Sequence, residues 1–248
     1  MTNKSWVLFL SIAALALTGC GEKKRPQARI PAPPPSIQQP QTPAQSSQQP
    51  STTITGEDAD AYKDAPVLWT QTGYASWYGP PYHNRRAANG EVFDMNALTA
   101  AHRTLPLNSV VRVTNLKTDH STILRITDRG PFVDNRIIDL SKAAAIAVDV
   151  WRPGTAKVRI DVLETPSSIA DGGRWCVQIG AIKDEDTAIS LKNRLARRYK
   201  TAKVLEFKSP VGDHWVRVRV QNDDKAKAEQ LAAENSTPEG AIFLVRLD

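Results

Sequence analysis

Asp128 closes an apolar, β-branched run and is followed at once by Arg-Gly-Pro, within the stretch RITDRGPFVDNRIIDLS from Arg125 to Ser141. A carboxyl at a strand end has two uses. It can bond nearby backbone amides and shape the turn, or, partly buried in a groove, it can keep its proton toward neutral pH and give it to a departing oxygen. Arg129 opposes the second use if its side chain points inward, because an adjacent cation lowers a carboxyl pKa. Two further polar residues stand in short motifs, Glu91 in ANGE and His102 in TAAH. Taken singly, Glu91 reads as a turn acid and His102 as a core or capping histidine. Residue type and spacing leave both a proton-transfer site and a set of structural polar residues open.

Such side chains need elements to hold them. Gly73 to Tyr78, Ser109 to Thr114, Ser121 to Thr127 and Ala156 to Leu163 are alternating or β-branched runs bounded by turn residues, which predicts strands. A short Ala-rich helix is predicted from Lys142 to Val148 with Ser141 as its N-cap. Short strands of this kind close most naturally into a small barrel. Pro, Ser and Gly then cluster in ETPSSIADGGR, Glu164 to Arg174, which marks a domain boundary. Beyond it, strands are predicted at Trp175 to Ile179, Lys203 to Lys208, His214 to Val220 and Ile242 to Leu247. Helices are predicted at Asp184 to Tyr199 and Lys225 to Asn235. The order βαββαβ implies a four-stranded antiparallel sheet with both helices on one face and the other face free. Alternation puts Trp215 and Arg217 on the same side of their strand.

The opening residues MTNKSWVLFLSIAALALTGC have one Lys, an apolar run from Trp6 to Leu17, and small residues before Cys20, the pattern of a secretory signal. The run is shorter than the ~20 residues a stable membrane-spanning helix needs. From Glu22 to about Pro66 the chain is rich in Pro, Gln and Ser with little to bury, which predicts a disordered or polyproline-like linker. Its reach is on the order of 40 Å as a coil and up to about 140 Å when stretched. The net charge of +6, or +5 once Lys4 leaves with the signal, suggests a polyanionic partner. For an exported protein that means cell wall or lipid surface, with nucleic acid excluded. Cys176 is the only other cysteine, so with Cys20 acylated no intrachain disulfide forms, and Cys176 reads as a buried apolar residue. No His/Cys cluster of zinc-site spacing exists, and no metal or cofactor is expected.

Three ordered blocks, GYASWYG, AANGEVFDMNALTAAHRTLP and RITDRGPFVDNRIIDLS, together resemble the rare lipoprotein A family over about Thr72 to Leu163. Leu17-Thr18-Gly19-Cys20 resembles a lipobox, and Arg174 to Asp248, through WCVQIGAI and HWVRVRV, resembles a SPOR domain. The resemblance implies a signal over 1–19, lipidated Cys20 and linker over 20–66, and a six-stranded double-psi β-barrel over 67–165. A short linker over 166–173 and a ferredoxin-like βαββαβ SPOR domain over 174–248 complete the expected organisation. It implies an endolytic lytic transglycosylase that cuts the MurNAc to GlcNAc bond of peptidoglycan without water, leaving anhydromuramyl ends. Asp128 would be the general acid, with Glu91 and His102 orienting substrate, tuning the acid or assisting the attacking hydroxyl. Gln178, Trp215 and Arg217 match glycan-contacting positions of SPOR domains, which bind septal glycan stripped of stem peptides. A lipid anchor on Cys20, followed by Gly21, implies an outer-membrane lipoprotein facing the periplasm and enriched at the division septum. A septal binding lipoprotein that no longer cuts glycan is the alternative.

Within that frame Trp77, Tyr78, Tyr82 and Phe132 are candidates to line a sugar groove, since aromatic faces bury apolar sugar surface. Phe132 reads better as barrel core, and Tyr78, beside Gly79-Pro80-Pro81, as loop-borne and available. Asn84 stands where the family commonly has Gly and Ala87 where it has Thr; Asn tolerates the left-handed backbone that Gly would supply. In the second domain Ala181 replaces a frequent Ser and Ile182 a frequent Phe. The βαββαβ order also occurs in RNA-recognition domains, but their aromatic signature pairs are absent here.

Overall fold

A computed structural model describes Ile54 and residues 60–248. The signal segment, Cys20 and the linker over 20–59 apart from Ile54 lie outside the described residues; the last part of the expected linker is instead ordered on the barrel, where Ile54, Tyr62 and Ala65 pack with Val110, Ile123 and Leu163. Six strands come first: β1 Trp69–Trp77, β2 Thr99–His102, β3 Val110–Asn115, β4 Ser121–Asp128, β5 Arg136–Leu140 and β6 Ala156–Glu164. They close in the order β1-β5-β2-β4-β3-β6, with β1/β5 and β2/β4 parallel and the other pairs antiparallel. This is the double-psi barrel. Closure removes every sheet edge. Val111, Val113, Leu124, Ile126, Ile138 and Ile160 fill its interior with no exposed surface. Each such side chain contributes about 1.5–3 kcal/mol by leaving water.

Four of the six strands match the alternating runs of the sequence. β2 and β5 do not announce themselves, because TAAH is buried at every position and RIIDL is too short to show a period. Helix α1, Lys142–Ala147, ends one residue before the predicted span. Ser141 caps it as expected: its hydroxyl accepts from the Ala144 N–H at 3.1 Å and donates to the Ala97 carbonyl at 2.6 Å.

The second domain runs β7 Trp175–Ile182, α2 Glu185–Arg198, β8 Lys203–Lys208, β9 His214–Arg219, a 3-10 turn at Gln221–Asp223, α3 Lys225–Glu234 and β10 Ala241–Arg246. The sheet order is β10-β7-β9-β8, all antiparallel. Asp184 and Asp224 cap the helices, accepting from the amides of Thr187 at 2.7 Å and Lys227 at 2.9 Å. Ala188, Leu191 and Leu195 of α2 and Ala228 and Leu231 of α3 pack on Val177, Ile179, Val216 and Val218 of the sheet.

The opposite face of this sheet is not free, contrary to expectation. Cys176, Trp215, Phe243 and Val245 form a second buried cluster there, and Phe132 of the barrel packs against it. The Phe132 ring lies 5.1 Å from Trp215 and 5.8 Å from Phe243. Phe132 is therefore not barrel core but the contact between the two halves. Backbone bonds join the same seam, from the Arg246 N–H to the Arg103 carbonyl at 3.0 Å and from the Leu107 N–H to the Asp248 carbonyl at 3.2 Å. Arg246 reaches the connecting segment as well, donating to the Ser168 carbonyl at 2.7 Å and the Ser167 hydroxyl at 3.0 Å. All described residues belong to one compact unit, Gln48–Asp248.

Candidate functional site

Strand register builds the site. Ser76 on β1 faces Asp139 on β5, Asp139 faces Ala101 on β2, and Ala101 faces Asp128 at the end of β4. On β4 the pairing skips a residue: Ile126 pairs with Ala100 but Asp128 with Ala101, so Thr127 is the extra residue of a bulge. A bulge of this kind re-aims the next side chain. With strands ~4.8 Å apart, the Asp128 and Asp139 backbones are ~10 Å apart with only the Ala101 methyl between them. Gly130, at φ 150°, keeps this space open: a Cβ there would lie 3.6 Å from the Ala101 Cβ and 3.8 Å from Asp139 Oδ2.

Asp128 Oδ1 accepts two backbone N–H bonds, from Arg129 at 2.8 Å and from Ala88 at 3.0 Å. Both favour the anion, yet burial outweighs them and pushes the Asp128 pKa up, with the Asp139 charge adding to the rise. With Oδ1 taken, Oδ2 is the oxygen left to carry a proton. The Arg129 charge also lowers the Asp128 pKa, as expected, without overcoming burial, and its guanidinium bonds elsewhere. It donates to the carbonyls of His102 at 3.0 Å, Leu105 at 2.7 Å and Asp248 at 2.6 Å. Burial, then the Arg246 charge, lowers its own pKa to about 10, so it remains a cation.

Asp139 is a functional candidate the sequence reading passed over. Burial raises its pKa, opposed by the Arg136 charge and by the Ser76 hydroxyl, which donates to Oδ1 at 2.5 Å. Arg136 binds Ser76 Oγ at 2.7 Å and has its Nε 3.7 Å from Asp139 Oδ1. Alternation within IIDLS was the available signal, because Ile138 and Leu140 are buried in the core and Asp139 must face the other way.

The structure does not bring Glu91 and His102 into the same cleft. His102 follows Ala101 on β2 and so points to the other side. It is 2% exposed, with Nδ1 accepting from the Leu105 N–H at 3.0 Å and the Thr104 N–H at 3.2 Å. That assigns the proton to Nε2, which donates to Gln71 Oε1 at 3.0 Å. Burial, then Arg129 and Arg103, lowers its pKa to about 3, so it is a neutral positioning group. Glu91 pairs with Arg125 at 3.4 Å. Its loop reaches the acid through the Ala88 amide and is held by Ala87 N–H to Glu91 O at 2.8 Å and Asn89 N–H to Thr127 O at 3.0 Å. In the same loop region Asn84 takes φ 63°, the left-handed backbone expected of it.

A cleft of about 770 Å³ opens over Asp128 and Asp139, and Tyr78, Tyr82, Gln178, Trp215 and Arg217 also border it. All four residues expected to bind glycan thus border the same space as the acid, but with less access than a free sheet would give. Gln178 is 1% and Trp215 7% exposed. Trp215 presses so closely on Gly180 that a Cβ there would meet its ring at 2.3 Å. Tyr78, expected to be loop-borne, stacks on Phe93 at 4.3 Å and meets Tyr82 edge-on at 5.7 Å. Burial and the two carboxylates raise its phenol pKa. Trp77 packs on Trp151, ring centroids 4.1 Å apart and planes tilted by 47°, against the barrel core and takes no part in the cleft.

Residues 70–160 match the family model described as lytic transglycolase, and residues 171–235 match the SPOR domain model. Among relatives, the endolytic peptidoglycan transglycosylase RlpA of Campylobacter jejuni is 44% identical over 156 residues, covering 53% of this chain and 55% of that protein. The protein of the same name from Neisseria meningitidis serogroup A is 58% identical over 137 residues, covering 54% and 57%. The chain spans about half the length of the relatives it matches. In its barrel and in the SPOR match that follows it, the chain is similar to endolytic peptidoglycan transglycosylases of the rare lipoprotein A family.

Proposed function

We propose that this protein is an endolytic peptidoglycan transglycosylase, with Asp128 as the general acid. The observation that carries the reading is the state of Asp128: a half-buried carboxyl at the cleft, raised in pKa, with one oxygen held by two amides and the other left to bear a proton. In the reaction Asp128 gives that proton to the glycosidic oxygen leaving the MurNAc anomeric carbon. The primary hydroxyl of the same MurNAc forms the new bond to that carbon, and its proton passes to a base. Asp139 suits the base role, because the Arg136 cation and the Ser76 hydroxyl favour its anion. The Asp139 charge adds to the rise of the Asp128 pKa, so an ionised Asp139 favours the proton on Asp128. No water enters the balance, so the product is an anhydromuramyl end and a free GlcNAc hydroxyl. Glu91 and His102 support this chemistry at a distance, by holding the loop and the strand that flank the acid.

The test is to incubate the full-length protein with amidase-treated sacculi and analyse the products by mass spectrometry. Anhydromuramyl ends that vanish with Asp128→Asn are expected. Hydrated reducing ends would make it a lysozyme-like hydrolase, and uncut strands that still bind the protein would make it a glycan-binding lipoprotein. We further propose acylation at Cys20, an outer-membrane address facing the periplasm, and enrichment at the septum through the SPOR domain. The lipobox-like LTGC and the SPOR match support this. Cys20→Ser should release a full-length fluorescent fusion from the membrane fraction, and the unmodified fusion should collect at septa; an even distribution round the cell would count against septal targeting.

A further inference from the structure

The far wall of the cleft belongs to the second domain. Across from Asp128 and Asp139 lie Phe207 and Lys208 at the end of β8, the turn Ser209–Val211, and Arg217 on β9. Phe207 is 36% exposed, unusual for a ring that could have been buried in the nearby cluster of Trp215 and Phe243. It is held in that exposed position. Arg217 lies over its face at 5.1 Å, and the guanidinium is itself fixed by two bonds to Gln178 Oε1, from Nη2 at 2.8 Å and Nε at 3.2 Å. A fixed cation on one side of an aromatic ring and open cleft on the other is a platform for a flat, partly apolar ligand.

The platform is also tied to the acid. Arg129, the residue after Asp128, donates to the Asp248 carbonyl, and Phe132, three further on, seats in the sheet between Trp215 and Phe243. The loop that leaves the acid is thus the loop that docks the second domain, so the two walls keep a set separation. Arg136 on one wall and Lys208 and Arg217 on the other give the cleft positive charge on both sides. A glycan strand stripped of stem peptides presents sugar faces together with lactyl carboxylates, which complements this combination.

We propose that the β8–β9 hairpin is part of the catalytic cleft: Phe207 and Arg217 hold sugars of the same strand whose bond Asp128 protonates, so the second domain sets where the strand is cut. The inference rests on the transglycosylase reading above and adds substrate-positioning residues to it. The second domain then acts within each catalytic event, and not only as a tether.

Soluble, peptide-free glycan strands test this, because in solution localisation cannot contribute. With the full-length protein, Phe207→Ala is expected to raise KM about tenfold, the loss of one stacked ring. The change in kcat should be much smaller, and the distribution of product lengths should broaden. Arg217→Ala should act in the same direction, and Phe207→Trp should restore KM and the narrow product distribution. An unchanged thermal unfolding curve for Phe207→Ala separates lost binding from lost folding. Strands cut by Phe207→Ala and Arg217→Ala with unaltered KM and product lengths overturn this inference alone. Strands left intact by the unmodified protein overturn the reaction, and this inference with it.

Discussion

The two walls of the cleft are made differently. The barrel wall is a row of short side chains, Ser76, Asp139, Ala101 and Asp128, each fixed by strand register and by bonds too short to leave much freedom. The second domain's wall is a long guanidinium and an exposed ring, held by one amide oxygen and by the seam at Phe132. Proton transfer needs atoms placed to a fraction of an ångström, which a barrel supplies through its ladder. Gripping a polymer needs area and adaptability, which the edge of an open sheet supplies. Chemistry on the rigid wall and grip on the compliant one is the division of labour that substitutions can test.

The largest effect should come from the rigid wall. Asp128→Asn removes the acid and should lower kcat by roughly a hundred- to ten-thousand-fold, the usual contribution of a general acid, read as anhydromuramyl ends formed per unit time. The same variant should melt higher than the parent at neutral pH. A carboxyl whose folded pKa is raised costs the folded state stability as pH rises from the ordinary carboxylate range through the folded pKa, so the gain should disappear in acid. A parent and variant that melt together at neutral pH would break the claim that burial dominates at Asp128.

Asp139→Asn sharpens the comparison inside the same wall. If the Asp139 anion helps to raise the Asp128 pKa, its removal lowers that pKa, and the limb on which activity falls with rising pH moves to lower pH. Activity itself should fall less than in Asp128→Asn. A pH profile that only scales down, with its limb in place, would show that the two carboxylates do not sense each other.

Phe132→Ala tests whether the compliant wall is truly docked. Emptying the space between Trp215 and Phe243 should cost about 1–2 kcal/mol, and calorimetry should resolve the single transition into two as the halves uncouple. His102→Ala belongs to neither wall. It strips the Leu105 and Thr104 amides and Gln71 of their partner and should cost about 1–3 kcal/mol. The pH profile of the remaining activity should keep its shape, because the ring is neutral throughout the working range. The smallest change is expected for Glu91→Gln, whose ion pair with Arg125 at 3.4 Å is worth less than ~1 kcal/mol to stability.

Local pattern carried the architecture well where it could. The β-branched runs around β3, β4 and β6, the Ser141 cap and the βαββαβ order all rest on periodicities of a few residues, and the structure repeats them. What local pattern cannot carry is pairing between distant strands. Asp139 stood in plain view in IIDLS, eleven positions after Asp128. It became a candidate only because β2 lies between β4 and β5 and pairs with both. TAAH likewise could not say that Ala101 faces the cleft and His102 faces away, since a four-residue strand buried at every position shows no alternation. The free sheet face was inferred by treating the second domain alone, and Phe132, from the other domain, covers it.

The Ala101 methyl has one further consequence. Ser76 and Arg136 serve Asp139, two amides serve Asp128, and among the described residues no side-chain hydrogen bond joins the two sets. Ala101 is an insulator set between two terminals. In the proposed reaction a hydroxyl of the bound strand is what spans the gap between them.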